Sequence, residues 1–259
     1  MGTLDFHFIK VHAAILRLTH IVSKNAWQAP PRFVVFGLEG VRMGLGMKSF
    51  VLGFVLAGFA HAGWRDMPAT EFTMAPPPVV DSFEYRKDFL DLHAYEQTRT
   101  KADCDLATEQ RAPDTKLFFK DGGILTEEEF NRLESLLADI GKLAVEVSGH
   151  FKTKHMRPRP YDTDATLTPC APKPGGSKSY PSSHSAVATT ASCLLAWAYP
   201  DRALPLLRHG RYLSDLRALV GVHHPSDVRA GRYLGEDLCE RLLQTEEFVK
   251  EFQTLLDAQ

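Results

Sequence analysis

The run Lys152-Thr153-Lys154-His155-Met156-Arg157-Pro158-Arg159-Pro160 places four lysines and arginines within eight residues. A guanidinium offers a planar fork to phosphate-like oxygens and an ammonium offers a compact point charge, so the run reads as an anion clamp. A solvated basic helix end is the competing reading, because cations suit a C-terminal dipole. A second segment, Ser179-Tyr180-Pro181-Ser182-Ser183-His184-Ser185, closes a loop and opens a helix. Free amides and a positive dipole end make such a junction a ready anion site. Ser182 could add a hydroxyl donor there, and His184 in the first turn faces the same place. Plain N-capping by serine explains the serines alone. The third segment holds Arg217, His223 and Asp227. Asp227 follows His223 by four residues, which lets its carboxylate accept from one imidazole nitrogen. The other nitrogen is then held unprotonated and aimed outward, the orienting role an aspartate plays in catalytic triads. An Asp cap beside a surface histidine is the bland version.

These groups need helices to carry them. Thr126-Glu127-Glu128-Glu129 is a capping box. Phe130, Leu133, Leu137, Ile140 and Val147 then recur at helical spacing, so a helix runs from there to about Lys152 and delivers the first segment. Phe83, Phe89, Leu90, Leu92 and Tyr95 predict a helix from Asp81 to about Thr98. Residues 161–180, with Pro169, Pro172, Pro174 and Gly175-Gly176, read as a long loop, a usual place for function. Helices are expected from Ser182 to Trp197, Ala203 to Val220, Ser226 to Leu243 and Thr245 to Leu256. No run of alternating strand pattern is convincing. The expected fold is all-α, a single-domain bundle of six or seven helices.

Composition narrows the classes. Net charge is -2, apolar content 44% and charged content 24%, ordinary for a globular chain and unlike a nucleic-acid binder or polybasic membrane-surface protein. Met47-Lys48, the apolar run Phe50–Ala60 and the ending Ala60-His61-Ala62 form a secretory signal peptide over residues 47–62. Residues 1–46 are then expected to lie upstream of the true start, and the mature chain to begin near Gly63. Residues 63–80, with Pro76-Pro77-Pro78, read as an extended lead-in to a domain over 81–259. No integral membrane segment is expected in the mature chain. Four cysteines in an exported chain permit disulfides. Cys104 and Cys170 sit in loop-like contexts and are the better pair. Cys193 and Cys239 lie among apolar helical residues and read as buried small hydrophobes.

Taken together, the three segments resemble the class A bacterial non-specific acid phosphatases, within the type 2 phosphatidic acid phosphatase (PAP2) and vanadium haloperoxidase superfamily. That pattern is Lys-x6-Arg-Pro, then Pro-Ser-Gly-His, then Ser-Arg-x5-His-x3-Asp. Here it reads Lys152…Arg159-Pro160, Pro181-Ser182-Ser183-His184 and Arg217…His223…Asp227. A weaker likeness starts near Asp81 and includes Tyr95-Glu96-Gln97-Thr98-Arg99. The family glycine is Ser183 here and the family serine is Leu216, so altered phosphate binding is expected.

The resemblance implies a helical bundle and hydrolysis of a small-molecule phosphomonoester in the periplasm or outside the cell. It implies that His223 is the nucleophile, Asp227 its orienting partner and His184 the general acid and base. Lys152, Arg159 and Arg217, with Ser182 and the Ser183 amide, would hold the phosphate. No metal or other cofactor and no nucleic acid are expected, and a homo-oligomer stays open. Three other readings compete: a vanadium-dependent haloperoxidase, a lipid-phosphate phosphatase and a periplasmic phosphate-binding protein without turnover.

Overall fold

The computed structural model describes residues 63–174 and 178–258. The expected signal peptide over 47–62 and the upstream stretch 1–46 lie outside the described residues. The described chain is all-α. Its helices are α1 (Phe83–Thr98), α2 (Lys101–Glu109), α3 (Glu127–His155), α4 (Pro160–Thr163), α5 (Ser183–Ala198), α6 (Ala203–Leu219), α7 (Pro225–Gln244) and α8 (Glu246–Asp257). That is eight among the described residues, against six or seven expected. The additions are short. α2 carries too few apolar residues to show a stripe, and α4 is a four-residue turn inside the expected loop. No helix among the described residues is long and apolar enough to cross a membrane.

α3 is the longest element, and its ends explain its use. Thr126 Oγ1 accepts from the Glu129 amide at 3.2 Å, and Glu129 accepts from the Thr126 amide at 2.9 Å. This capping box fixes the start. One stripe, including Phe130, Leu133, Leu137, Ile140, Val147 and Phe151, is buried in the main core. The helix stops at Met156, which adopts a left-handed backbone with φ 47° and returns its amide to the Lys152 carbonyl. Pro158, two residues on, cannot resume a helix. The reversal sends both Arg157 and Arg159 inward, where each is buried.

α5 sits at the centre, packed against α3, α6 and α7. Its residues are buried nearly all round, as expected of a helix that is apolar or small on every face. Close approach of α7 depends on Gly231, where a Cβ would lie 2.3 Å from the Ser182 carbonyl. A direct bond from the Ser182 amide to the Asp227 carbonyl at 3.0 Å ties the same two helix starts together. Two of the three chemical segments therefore meet by packing as well as by sequence order.

Residues 63–80 are extended with two short 3-10 turns, yet they are not detached from the bundle. Trp64 and Phe72 are buried in the main core. Trp64 packs edge-on against Phe248 of α8 and donates from its indole to Glu251 at 3.0 Å.

Both cysteine pairs are joined. Cys104–Cys170 is the pair favoured by context, and it ties α2 to the proline-rich loop. Cys193–Cys239 corrects the expectation of two buried thiols: it bridges α5 and α7 inside the core. An apolar helical setting looks the same for a free thiol and for a disulfide between neighbouring helices. The bridged residues are 66 and 46 positions apart. Constraint of the unfolded chain then gives each bond about 2–4 kcal/mol. Cys193→Ser/Cys239→Ser should lose that much in denaturant unfolding, and reductant should no longer lower the stability through this bridge.

Candidate active site

The end of α3, the start of α5 and the turn between α6 and α7 converge. Lys152, on the last turns of α3, donates to three carbonyls across the gap: Lys178 at 3.1 Å, Ser179 at 3.3 Å and Pro181 at 2.5 Å. It thereby pins the end of the proline-rich loop. Burial, reinforced by Arg159 and opposed by Asp227, pushes its pKa down to about 7.

Arg159 donates through one Nη1 to the Val222 carbonyl and to His223 Nε2, both at 2.8 Å. Arg217, 2% exposed, donates to the Ala107 carbonyl at the end of α2 at 3.2 Å. Burial lowers the pKa of both, that of Arg217 to about 10, so Arg217 stays charged at neutral pH. The Nε groups of Arg159 and Arg217 are buried without a protein acceptor. Buried N–H groups are nearly always paired, so two unpaired guanidinium donors mark a place built for an acceptor.

The histidines are asymmetric. A guanidinium can only donate, so the contact with Arg159 makes Nε2 of His223 the acceptor and puts the ring proton on Nδ1. That proton faces Asp227 Oδ2 at 3.4 Å, and Ser179 Oγ lies 3.5 Å from the same nitrogen. A carbonyl can only accept, so His184 Nε2, 3.0 Å from the Gln110 carbonyl, carries its proton. Phe118 packs against the His184 ring at 5.9 Å. Burial depresses both histidines well below the ordinary imidazole value. Arg217 adds to the effect at His184 and Arg159 at His223.

Asp227 is fully buried and occupied on both oxygens. Oδ1 accepts from Arg157 at 2.6 Å, while Oδ2 accepts from Ser179 Oγ at 2.5 Å and the His224 amide at 3.0 Å. Burial pushes the carboxyl up, but hydrogen bonding to His223 and the charges nearby outweigh it and hold Asp227 below the usual carboxylate range. The carboxylate thus caps α7 and faces His223 at once; the two sequence readings are not exclusive.

Both departures from the family pattern have a local reason in the fold. Ser183 opens α5 without a positive φ, and its Oγ lies 2.7 Å from Ser148 Oγ on α3. A serine therefore fits where the pattern has glycine. Ser182 Oγ accepts from the Ser185 amide at 3.3 Å, which is the capping geometry. Leu216 is buried in a small apolar cluster with Ala107, Ala171, Val220 and Val222.

Among neighbouring residues, Lys154 is exposed. His224 lies edge-on to Phe89 at 5.3 Å and has Nε2 3.3 Å from the Pro158 carbonyl, a wall residue by these contacts. Arg157, one of the four cations of the first segment, sits at the centre of a buried ionic network. Ser179 is visible in the second segment, but nothing in its spacing marks it as the partner of Asp227.

An all-α bundle that gathers two imidazoles, three cations and a buried carboxylate at its helix ends is a helical protein fitted to an anionic ligand. The chain belongs to the PAP2 superfamily. Residues 137–239, spanning all three segments, match the PAP2 superfamily profile. The non-specific acid phosphatase of Salmonella typhimurium is 31% identical over 198 residues, covering 70% of this chain and 76% of that protein. The non-specific acid phosphatase of Providencia stuartii is 29% identical over 202 residues, covering 71% and 78%. An acid phosphatase of Zymomonas mobilis is 28% identical over 166 residues, covering 61% and 63%.

Proposed function

We propose that this chain hydrolyses phosphate monoesters through a phosphohistidine on His223, with His184 as general acid and base. The observation that carries the reading is the Arg159 contact at 2.8 Å, which fixes Nε2 of His223 as the unprotonated nitrogen beside a phosphate-binding fork; phosphate takes over the Arg159 donor and so frees that lone pair. The acid phosphatase relatives support the reaction class.

In the first step the Nε2 lone pair attacks phosphorus in line and the ester P–O bond breaks. The leaving alkoxide takes a proton from His184. Since Nε2 of His184 is committed to the Gln110 carbonyl, the transferred proton sits on Nδ1. Burial is the main cause of the low His184 pKa and persists in the complex, but a bound phosphate offsets the added effect of Arg217, Lys152 and Arg159 and so shifts His184 toward the protonated acid. In the second step His184 removes a proton from water, the water oxygen attacks phosphorus, the P–N bond breaks and the lone pair returns to His223. Arg159, Arg217 and Lys152 stabilise charge on the equatorial oxygens from fixed positions, and such preorganised charge commonly supplies more of the rate enhancement than any other effect. Two disulfides suit an oxidising compartment and support a periplasmic or secreted location.

A labelled aryl phosphate, quenched during turnover with chelator present, should leave an acid-labile and alkali-stable label on the His223 peptide. Inversion at a chirally labelled phosphorus, the outcome of a single displacement, would mean direct attack by water; retention fits the two displacements proposed. Vanadate-dependent halide oxidation in place of hydrolysis would favour the haloperoxidase.

A further inference from the structure

A buried ionic network extends from the Asp227 carboxylate away from His223. Arg157 bridges two carboxylates: Nη1 reaches Asp227 Oδ1 at 2.6 Å and Nη2 reaches Asp88 Oδ2 at 2.9 Å. Ser226 closes the ring, accepting from Arg157 at 2.7 Å, donating its amide to Asp88 Oδ1 at 2.9 Å and its hydroxyl to Asp88 Oδ2. Asp88 is 3% exposed, Arg157 6% and Asp227 0%. Asp88 comes from α1, Arg157 from the reversal after α3, and Ser226 and Asp227 from the first turn of α7.

Such a cluster needs a reason. Desolvating two carboxylates and a guanidinium is costly, and buried ion triads are often matched or exceeded in stability by packed apolar side chains. Its place against the partner of His223 gives it one. Arg157 holds Oδ1 of Asp227 while Ser179 and the His224 amide hold Oδ2, so Arg157 helps set the carboxylate plane in which Oδ2 faces His223 Nδ1. Asp88 shares the guanidinium charge, so Arg157 does not fully neutralise Asp227.

We propose that Asp88 and Arg157 are positioning residues, a relay that aims the Asp227 carboxylate at His223 and sets how much negative charge it presents there. The proposal rests on the reading of His223 as nucleophile. A cap for α7 alone would also use Asp88, so the test must read charge at His223. The groups facing this chain of contacts are Arg159, Lys152, Asp227, His224, Arg157 and Asp88; the first four are unchanged in every variant below.

Removing the Asp88 charge makes His223 harder to protonate. Asp88→Asn should therefore move the acid limb of kcat/KM to lower pH by about half a unit or more. Removing the Arg157 charge does the reverse, so Arg157→Met should move it to higher pH. Arg157→Lys keeps the charge but loses the fork; its limb should stay in place while kcat falls about 10- to 100-fold, the range in which outer partners of an oriented imidazole act. The ionisation of the aryl phosphate is common to all variants and cancels in the comparison.

Near-ultraviolet circular dichroism checks that each variant folds. Arg157→Met strands two carboxylates and is the variant at risk; Asp88→Asn and Arg157→Lys carry the test without it. Folded Asp88→Asn and Arg157→Lys with unmoved limb and kcat within twofold of the parent would overturn the relay. So would shifts of Asp88→Asn and Arg157→Met in the same direction. Failure of the nucleophile assignment shows separately, as turnover that survives His223→Ala.

Discussion

His223→Ala should lower kcat for an aryl phosphate by about 10⁴-fold or more while the bundle stays folded. The size follows from removing the group that divides a hard displacement into two easier ones; loss of a nucleophile in covalent catalysis falls in this range. The fold survives because the imidazole is a small part of its own surroundings. Arg159 keeps the Val222 carbonyl, and Asp227 keeps Arg157, Ser179 and the His224 amide. The control is His224→Ala. That ring points to Phe89 and the Pro158 carbonyl, so its loss should affect stability more than turnover. Turnover within tenfold of the parent in His223→Ala, measured by phosphate release with chelator present, would put the nucleophile elsewhere.

The three segments are legible in sequence because residue type and spacing act together at helix ends. Lys152 and Arg159 are separated by a helix stop, His184 lies in a first turn, and Asp227 is placed by the cap of α7. Each of those constraints is local. What the sequence hides is relational. Arg157 stands among Lys152, Lys154 and Arg159 with no feature of its own; only the left-handed turn at Met156 and the arrival of Asp88 from α1 make it a bridge. The Cys193–Cys239 bond is hidden for a similar reason, since its two helices reveal their contact only once α5 and α7 pack. The Ser183 departure could be read as strain at a glycine site. In the fold it is a helical position whose hydroxyl meets Ser148.

Asp227→Asn is the second large effect expected, a fall in kcat of about 10³–10⁴-fold, comparable to loss of the aspartate that fixes an imidazole tautomer in a triad. Asparagine is nearly isosteric, so the difference lies in donors and acceptors. If its NH₂ takes the place of Oδ1, donor meets donor at Arg157. If it takes the place of Oδ2, it opposes the His224 amide and asks His223 Nδ1 to accept. The ring proton then moves to Nε2, where it opposes the Arg159 donor and removes the attacking lone pair. Neither orientation restores the native set. The lost charge also weakens stabilisation of the phosphoimidazolium. Stability should fall by about 2–3 kcal/mol at neutral pH, below the usual cost of breaking a buried pair because Arg157 retains Asp88. The pH dependence has a fixed sign. The folded-state pKa of Asp227 is depressed, so its contribution is present above the unfolded carboxylate value of about 3.9 and is lost as pH falls further. The stability gap between Asp227→Asn and the parent should thus be full at pH 6 and narrow below about pH 4, in denaturant unfolding at each pH. A gap that does not change with pH would show that Asp227 acts on stability by shape alone, and retained kcat would remove it from the orientation of His223.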